Sequence, residues 1–101
     1  MIYGDEIHVG PAKARKNLQV HGISFETARE VFSDPNHVTK ENYFIGDQGE
    51  QRYGIIGLTA SVVLLLVVFV DRTEADIEIV RIISARKADD YERRAYEDQF
   101  R

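Results

Sequence analysis

Residues 62–70 read VVLLLVVFV, nine apolar positions without a glycine, proline or charge among them. A bilayer span needs about 20 such residues, and the Val and Phe content suits a pleated surface better than a helix. Successive side chains of a strand point to opposite faces, so a run that is apolar at every position has to be covered on both sides. The run is therefore expected in the middle of a sheet, with other elements of the same chain over both of its faces.

The flanking segments supply that cover. Residues 2–9 form a short polar first strand that ends at Gly10. Pro11 opens a helix over residues 12–21, with Ala14 and Leu18 on one face, and Gly22 supplies a left-handed stop. Ser24 caps a second helix whose Phe25, Ala28, Val31 and Phe32 share a face, and Asp34-Pro35 ends it. Residues 37–45 mix strand formers with polar residues as an edge strand does, and residues 46–49 form a turn. The next strand, residues 50–58, puts Glu50, Arg52, Ile56 and Leu58 at one parity. After the central run and Asp71-Arg72, residues 77–85 form the last strand. Strict alternation there groups Ile77, Ile79, Arg81, Ile83 and Ala85 on one face and Val80, Ile82, Ser84 and Arg86 on the other. Asp89 and Glu92 form a capping box for a terminal helix carrying Tyr91 and Ala95, and Tyr96 and Phe100, at i,i+4 spacing. At 101 residues the chain is expected to be a single α+β domain. Its antiparallel sheet has four or five strands, with two N-terminal helices and one C-terminal helix.

Composition narrows the chemistry. No cysteine is present, which removes disulfides, thiolate catalysis and cysteine-based zinc sites and fits a cytoplasmic protein, and the N-terminal stretch lacks the pattern of a secretory signal. Thirteen Lys and Arg against 17 Asp and Glu leave a net charge of −4, so a nucleic-acid contact has to come from a local basic cluster. His8, His21 and His37 have no metal-ligand spacing, and no metal or cofactor is expected. A glycine-rich phosphate loop and a nucleophile elbow are both missing, so a small-molecule enzyme has no motif behind it.

The pieces KARKNLQVHGISFETAREVFSDP, GEQRYGIIG, the apolar run ending in Asp71-Arg72, and VRIISARKADDYERRAYE occur in an order that resembles the BrnT family, the toxins of BrnT/BrnA type II toxin–antitoxin systems. The resemblance runs from about Pro11 to Tyr96. Its most specific parts are the block from Asn17-Leu18 to His21-Gly22-Ile23-Ser24-Phe25 and the run from Arg81 to Arg86. It implies a RelE-like fold and a ribonuclease that cleaves RNA and arrests translation until an antitoxin neutralises it. The implied partner is a BrnA-like ribbon-helix-helix protein that joins two toxins and two antitoxins and gives the complex its contact with operator DNA. Three features depart from the family pattern: Val9-Gly10 where Trp-Asp is usual, Val20 before His21 where Lys is frequent, and an acidic balance where members tend to be basic.

Metal-free RNA cleavage needs a base for the 2′-hydroxyl proton, cations for the phosphorane charge and an acid for the leaving oxygen. Glu50 is the candidate base, and Arg52, Arg72, Arg81 and Arg86 are candidates to hold phosphate, a task to which the planar guanidinium fork is suited. The structural alternative is an ion pair between Glu50 and Arg52, a solvated Arg72 at a strand end, and a pairing of Arg81 with Glu50 forced by its apolar row. Lys13 and His21 are candidates for RNA contact. Lys13 is otherwise part of a solvated helix face, and His21 a cap on the last helical carbonyls. The competing function is a toxin-like module that binds its antitoxin, or another protein, without cutting RNA.

Overall fold

Five strands form one sheet in the computed structural model, which describes residues 6–45 and 51–101. They are β1 (Glu6–Val9), β2 (Val38–Ile45), β3 (Gln51–Leu58), β4 (Leu64–Asp71) and β5 (Ile79–Lys87), in the spatial order β1-β5-β4-β3-β2. Strands β2 to β5 are antiparallel neighbours, and β1 joins the free edge of β5 in parallel. The apolar run lies at the centre of this order, as two-sided burial requires. Its first residues do not belong to the strand. Val62 has a left-handed φ of 61° in the turn between β3 and β4 and is 74% exposed. That turn is closed by hydrogen bonds from Val62 N–H to Thr59 O and from Thr59 N–H to Val63 O.

β4 sorts the core. Leu65, Val67 and Phe69 face a cluster that includes Phe25, Val31 and Phe32, while Leu64, Leu66 and Val68 face Tyr96 and Ile56. The first cluster is roofed by α1 (Pro11–His21), by α2 (Phe25–Arg29) and by the 3-10 turn that continues it (Glu30–Ser33). The second is covered by α3 (Asp90–Glu97), which ends in a further 3-10 turn (Asp98–Phe100). The second helix is shorter than its apolar spacing implies, because Pro35 forces Asp34 to an extended ψ of 116° and the chain tightens before that point. The terminators act as read: Gly22 takes φ 70° and donates to Leu18 O, the Ser24 hydroxyl accepts from Thr27 N–H, and Asp89 with Glu92 closes a capping box.

Two departures from simple periodicity shape β5. Its pairing with β4 slips between Val68, opposite Ser84, and Phe69, opposite Ile82, which makes Ile83 the extra residue of a bulge. Ala85 therefore joins Val80 and Ile82 in the first cluster, contrary to strict alternation, while Ile83 packs in the second. The bulge also brings Arg86, opposite Leu66, to the same face as Arg81, opposite Val70.

The second departure concerns Asn17. β1 stops at Val9, opposite Ile82, and leaves the backbone of Ala85 at an open edge. The Asn17 side chain takes the place of the absent strand: it donates to Ala85 O at 2.9 Å, accepts from Ala85 N–H at 3.0 Å and donates to Ile23 O at 2.9 Å. Asn17, rather than Leu18, is thus the buried residue of α1, and Leu18 is 53% exposed.

Replacing Leu65, fully buried at the centre of β4, by Asp puts an unpaired charge in the core and should abolish the cooperative unfolding transition seen by circular dichroism. Asn17→Ala should lower the unfolding free energy by about 2–4 kcal/mol in urea titrations, because it strands buried backbone groups of Ala85 and Ile23.

Candidate functional site

The sheet face under α3 is apolar toward the β3–β4 turn and cationic toward the other end. Tyr53 stacks on Phe69 in the first cluster, so Arg52, one residue earlier on β3, points to the opposite face. Extending the β3–β4 register by one residue sets Arg52 beside Val70, and β5 sets Arg81 on the other side of the same valine. Two half-buried arginines thus flank Val70, itself only 4% exposed, with their backbones about 10 Å apart, two strand spacings. Arg52 has its Nε buried. Arg81 makes no ion pair among the described residues, and its Nη2 lies 3.1 Å from where a Cβ on Gly10 would sit. A side chain at position 10 would make the guanidinium give way by a few tenths of an ångström. Arg72 lies just beyond β4 at this same end, exposed, with its N–H bonded to Ile79 O at 2.8 Å.

Arg86 has a different setting. It lies five residues along β5 from Arg81, and its guanidinium grips the buried Glu92 carboxylate with two 2.8 Å hydrogen bonds, Nη1 to Oε1 and Nη2 to Oε2. Glu92 Oε1 also accepts from Asp89 N–H, so one carboxylate both caps α3 and ties it to β5. A second tie holds α3 to the loop after α2. Tyr96 Oη donates to Asp34 Oδ2 at 2.6 Å, the same oxygen accepts from Leu58 N–H, and Oδ1 accepts from Asn36 N–H. Burial works against the charge of Asp34, but these three hydrogen bonds and the nearby His37 together hold its carboxyl below the ordinary value of 3.8. Burial, with the hydrogen bond to Asp34 and its charge, pushes the Tyr96 phenol up to about 12.

Lys13 and His21 meet in a third place, a pocket of about 210 Å³ lined by Lys16, Asn17, Val20, Ile83 and Ser84 as well. The Gly22 N–H, not the His21 ring, caps the end of α1, and the imidazole is left exposed on the pocket wall. α1 carries three of the chain's 13 basic side chains and none of its 17 acidic ones, which makes it a local basic segment on an acidic chain.

The structure brings Arg52, Arg72 and Arg81 to one end of the sheet, gathers Lys13 and His21 beside β5, and commits Arg86 to α3. Glu50 lies outside the described residues. Sequence reasoning passed over Lys40 and Tyr91, whose ammonium and ring lie 5.1 Å apart. The sequence carried no signal for this pair, which depends on the register that sets Lys40 opposite Gly54, two residues from Arg52 on the same face of β3, and on the docking of α3. Among the described residues no group of three or more His, Asp or Glu could hold a metal ion, and no helix is long and apolar enough to cross a membrane.

Residues 10–92 match the model of a family described as the ribonuclease toxin, BrnT, of type II toxin–antitoxin systems. The chain is also similar to the crystal structure of the Brucella abortus ribonuclease toxin BrnT, with 22% identity and a TM-score of 0.54 over 83% of this chain and 96% of that one. At that identity the likeness shows the fold. No curated protein matches.

A folded-state carboxyl pKa below the unfolded value stabilises the fold above 3.8, and this contribution is lost as pH falls through the lowered value. The difference in unfolding free energy between the parent chain and Asp34→Asn should therefore hold steady from about pH 7 to about pH 5 and shrink as the pH falls past 3.8 in urea titrations.

Proposed function

Because the chain belongs to the BrnT family of ribonuclease toxins of type II toxin–antitoxin systems, we propose that it is an endoribonuclease that cleaves RNA without a metal and thereby arrests translation in the cytoplasm. The row Arg52–Val70–Arg81 carries this reading. It sets two guanidinium groups on one sheet face of an acidic chain, Arg81 without a carboxylate partner among the described residues, and Arg72 stands at the same end. A phosphodiester bound at this end of the face would meet both guanidinium groups, and these donors stabilise the extra negative charge of a phosphorane more than that of the ground state.

In this reading Glu50, which directly precedes β3, takes the proton of the 2′-hydroxyl. The 2′-oxygen attacks phosphorus and the bond to the 5′-oxygen breaks, with the leaving oxygen taking a proton from water, which leaves a 2′,3′-cyclic phosphate and a 5′-hydroxyl. Lys13 and His21, next to β5, contact RNA outside the scissile linkage. Arg86 acts by holding α3 over the face. A BrnA-like ribbon-helix-helix antitoxin would cover the arginine row in a complex of two toxins and two antitoxins and would carry any contact with operator DNA. The type II description of the family supports this part of the proposal.

Purified chain incubated with single-stranded RNA and EDTA should yield fragments ending in 2′,3′-cyclic phosphate. Arg81→Ala and Glu50→Gln should each slow that cleavage by about a hundredfold while leaving the thermal midpoint nearly unchanged. Full cleavage by both variants, or an inert parent chain that still binds its antitoxin, would make the non-catalytic module the better account.

A further inference from the structure

We propose that Tyr91, backed by Lys40, is a stacking platform for an unpaired base of the RNA whose phosphates the arginine row holds, an inference that rests on the ribonuclease reading above. Tyr91 is 72% exposed, the most open aromatic side chain among the described residues, although it sits in a helix that otherwise turns its aromatic ring inward: Tyr96, on the same helix, is 5% exposed. Its backbone is anchored at the start of α3. It lies in the first turn of α3 between the Asp89 cap and Glu92, which Arg86 holds by two hydrogen bonds.

The ring has a cation on one side. Lys40 Nζ lies 5.1 Å from the ring centroid, and Lys40 makes no ion pair among the described residues. Lys40 is paired with Gly54, whose lack of a side chain leaves the sheet surface low at that point, and Arg52 follows on the same face of β3. The spacing from Lys40 to Arg52 is one strand across and two residues along, roughly 8 Å by sheet geometry and within the reach of one nucleotide. An exposed aromatic ring, a lysine against it and a guanidinium one nucleotide away are what single-stranded nucleic acid requires. The ring takes a base of any identity by its π-face, and the cations neutralise phosphates. A duplex offers no free base face to this platform.

The test uses the full chain and a single-stranded 2′-O-methyl RNA, which lacks the attacking hydroxyl and binds without being cut. Tyr91→Ala should raise its Kd by about 5- to 100-fold, the range expected for one stacked base, and Tyr91→Phe should restore most of the affinity. The salt dependence should be unchanged in Tyr91→Ala, whereas Arg81→Ala should flatten it by the share of about one phosphate contact. On an oligonucleotide made abasic throughout, the parent chain and Tyr91→Ala should bind alike. Equal affinity of the parent and Tyr91→Ala for the base-containing strand would overturn the platform, while cleavage by the parent would leave the ribonuclease reading standing. A loss from Tyr91→Ala that persists on the abasic strand, or that appears only in antitoxin binding, would also overturn it. A parent chain that neither binds nor cuts RNA would remove both proposals together.

Discussion

Burial of β4 on both faces is the constraint on which the rest of the structure depends. Every residue from Leu64 to Val70 is 4% exposed or less, so the chain has to provide two separate apolar covers, one for each parity of a single strand. The N-terminal half provides one through Ile23, Phe25, Ala28, Val31 and Phe32, and the C-terminal helix provides the other through Ala95 and Tyr96. With about 1.5–3 kcal/mol gained per large apolar side chain buried, this one strand accounts for a substantial share of the favourable free energy of folding. It also explains why elements from both ends of the sequence converge on the same sheet.

The two covers differ in how they are held. α1 and α2 rest on apolar contact plus the Asn17 clamp, which uses a side-chain amide as a one-residue extension of β1. α3 is short and strongly amphipathic, and it is tied at both ends by polar groups: Glu92 to Arg86 near its start and Tyr96 to Asp34 near its end. Breaking either tie would strand a buried polar group, which makes the docking geometry specific rather than merely favourable. α3 covers its face of the sheet toward the β3–β4 turn, and at the other end Arg52 and Arg81 flank a Val70 that is itself only 4% exposed. The chain is acidic overall, and its RNA chemistry, as proposed, depends on the local concentration of guanidinium groups rather than on net charge.

The fold was largely legible in the sequence because its signals are local. The uninterrupted apolar run gave the central strand, Pro11 and Gly22 bounded α1, Ser24 opened α2, and the Asp89–Glu92 pair opened α3, each through chemistry within a few residues. The family was legible for the same kind of reason, since Asn17 to Phe25 and Arg81 to Arg86 are contiguous blocks. The candidate site was legible only in part. Parity placed Arg52 and Arg81 on strands that had to be near β4, but parity alone put Arg86 on the wrong side of β5, and the ends of the central run gave no sign that Val62 belongs to a turn.

The sequence by itself determined the strand that must be buried, the helices that bracket the sheet and the residue types available for phosphate chemistry, because hydrophobic period, capping and turn preferences act over short stretches of chain. Tertiary structure decided which of those residues meet. The Ile83 bulge, the replacement of a missing strand by the Asn17 amide, the commitment of Arg86 to Glu92 and the meeting of Lys40 with Tyr91 all depend on register and on contacts between segments six to 68 residues apart. Register between strands is set by the packing of the whole sheet and the turns that join it, and a one-residue slip reverses every face, so no local pattern can specify it alone.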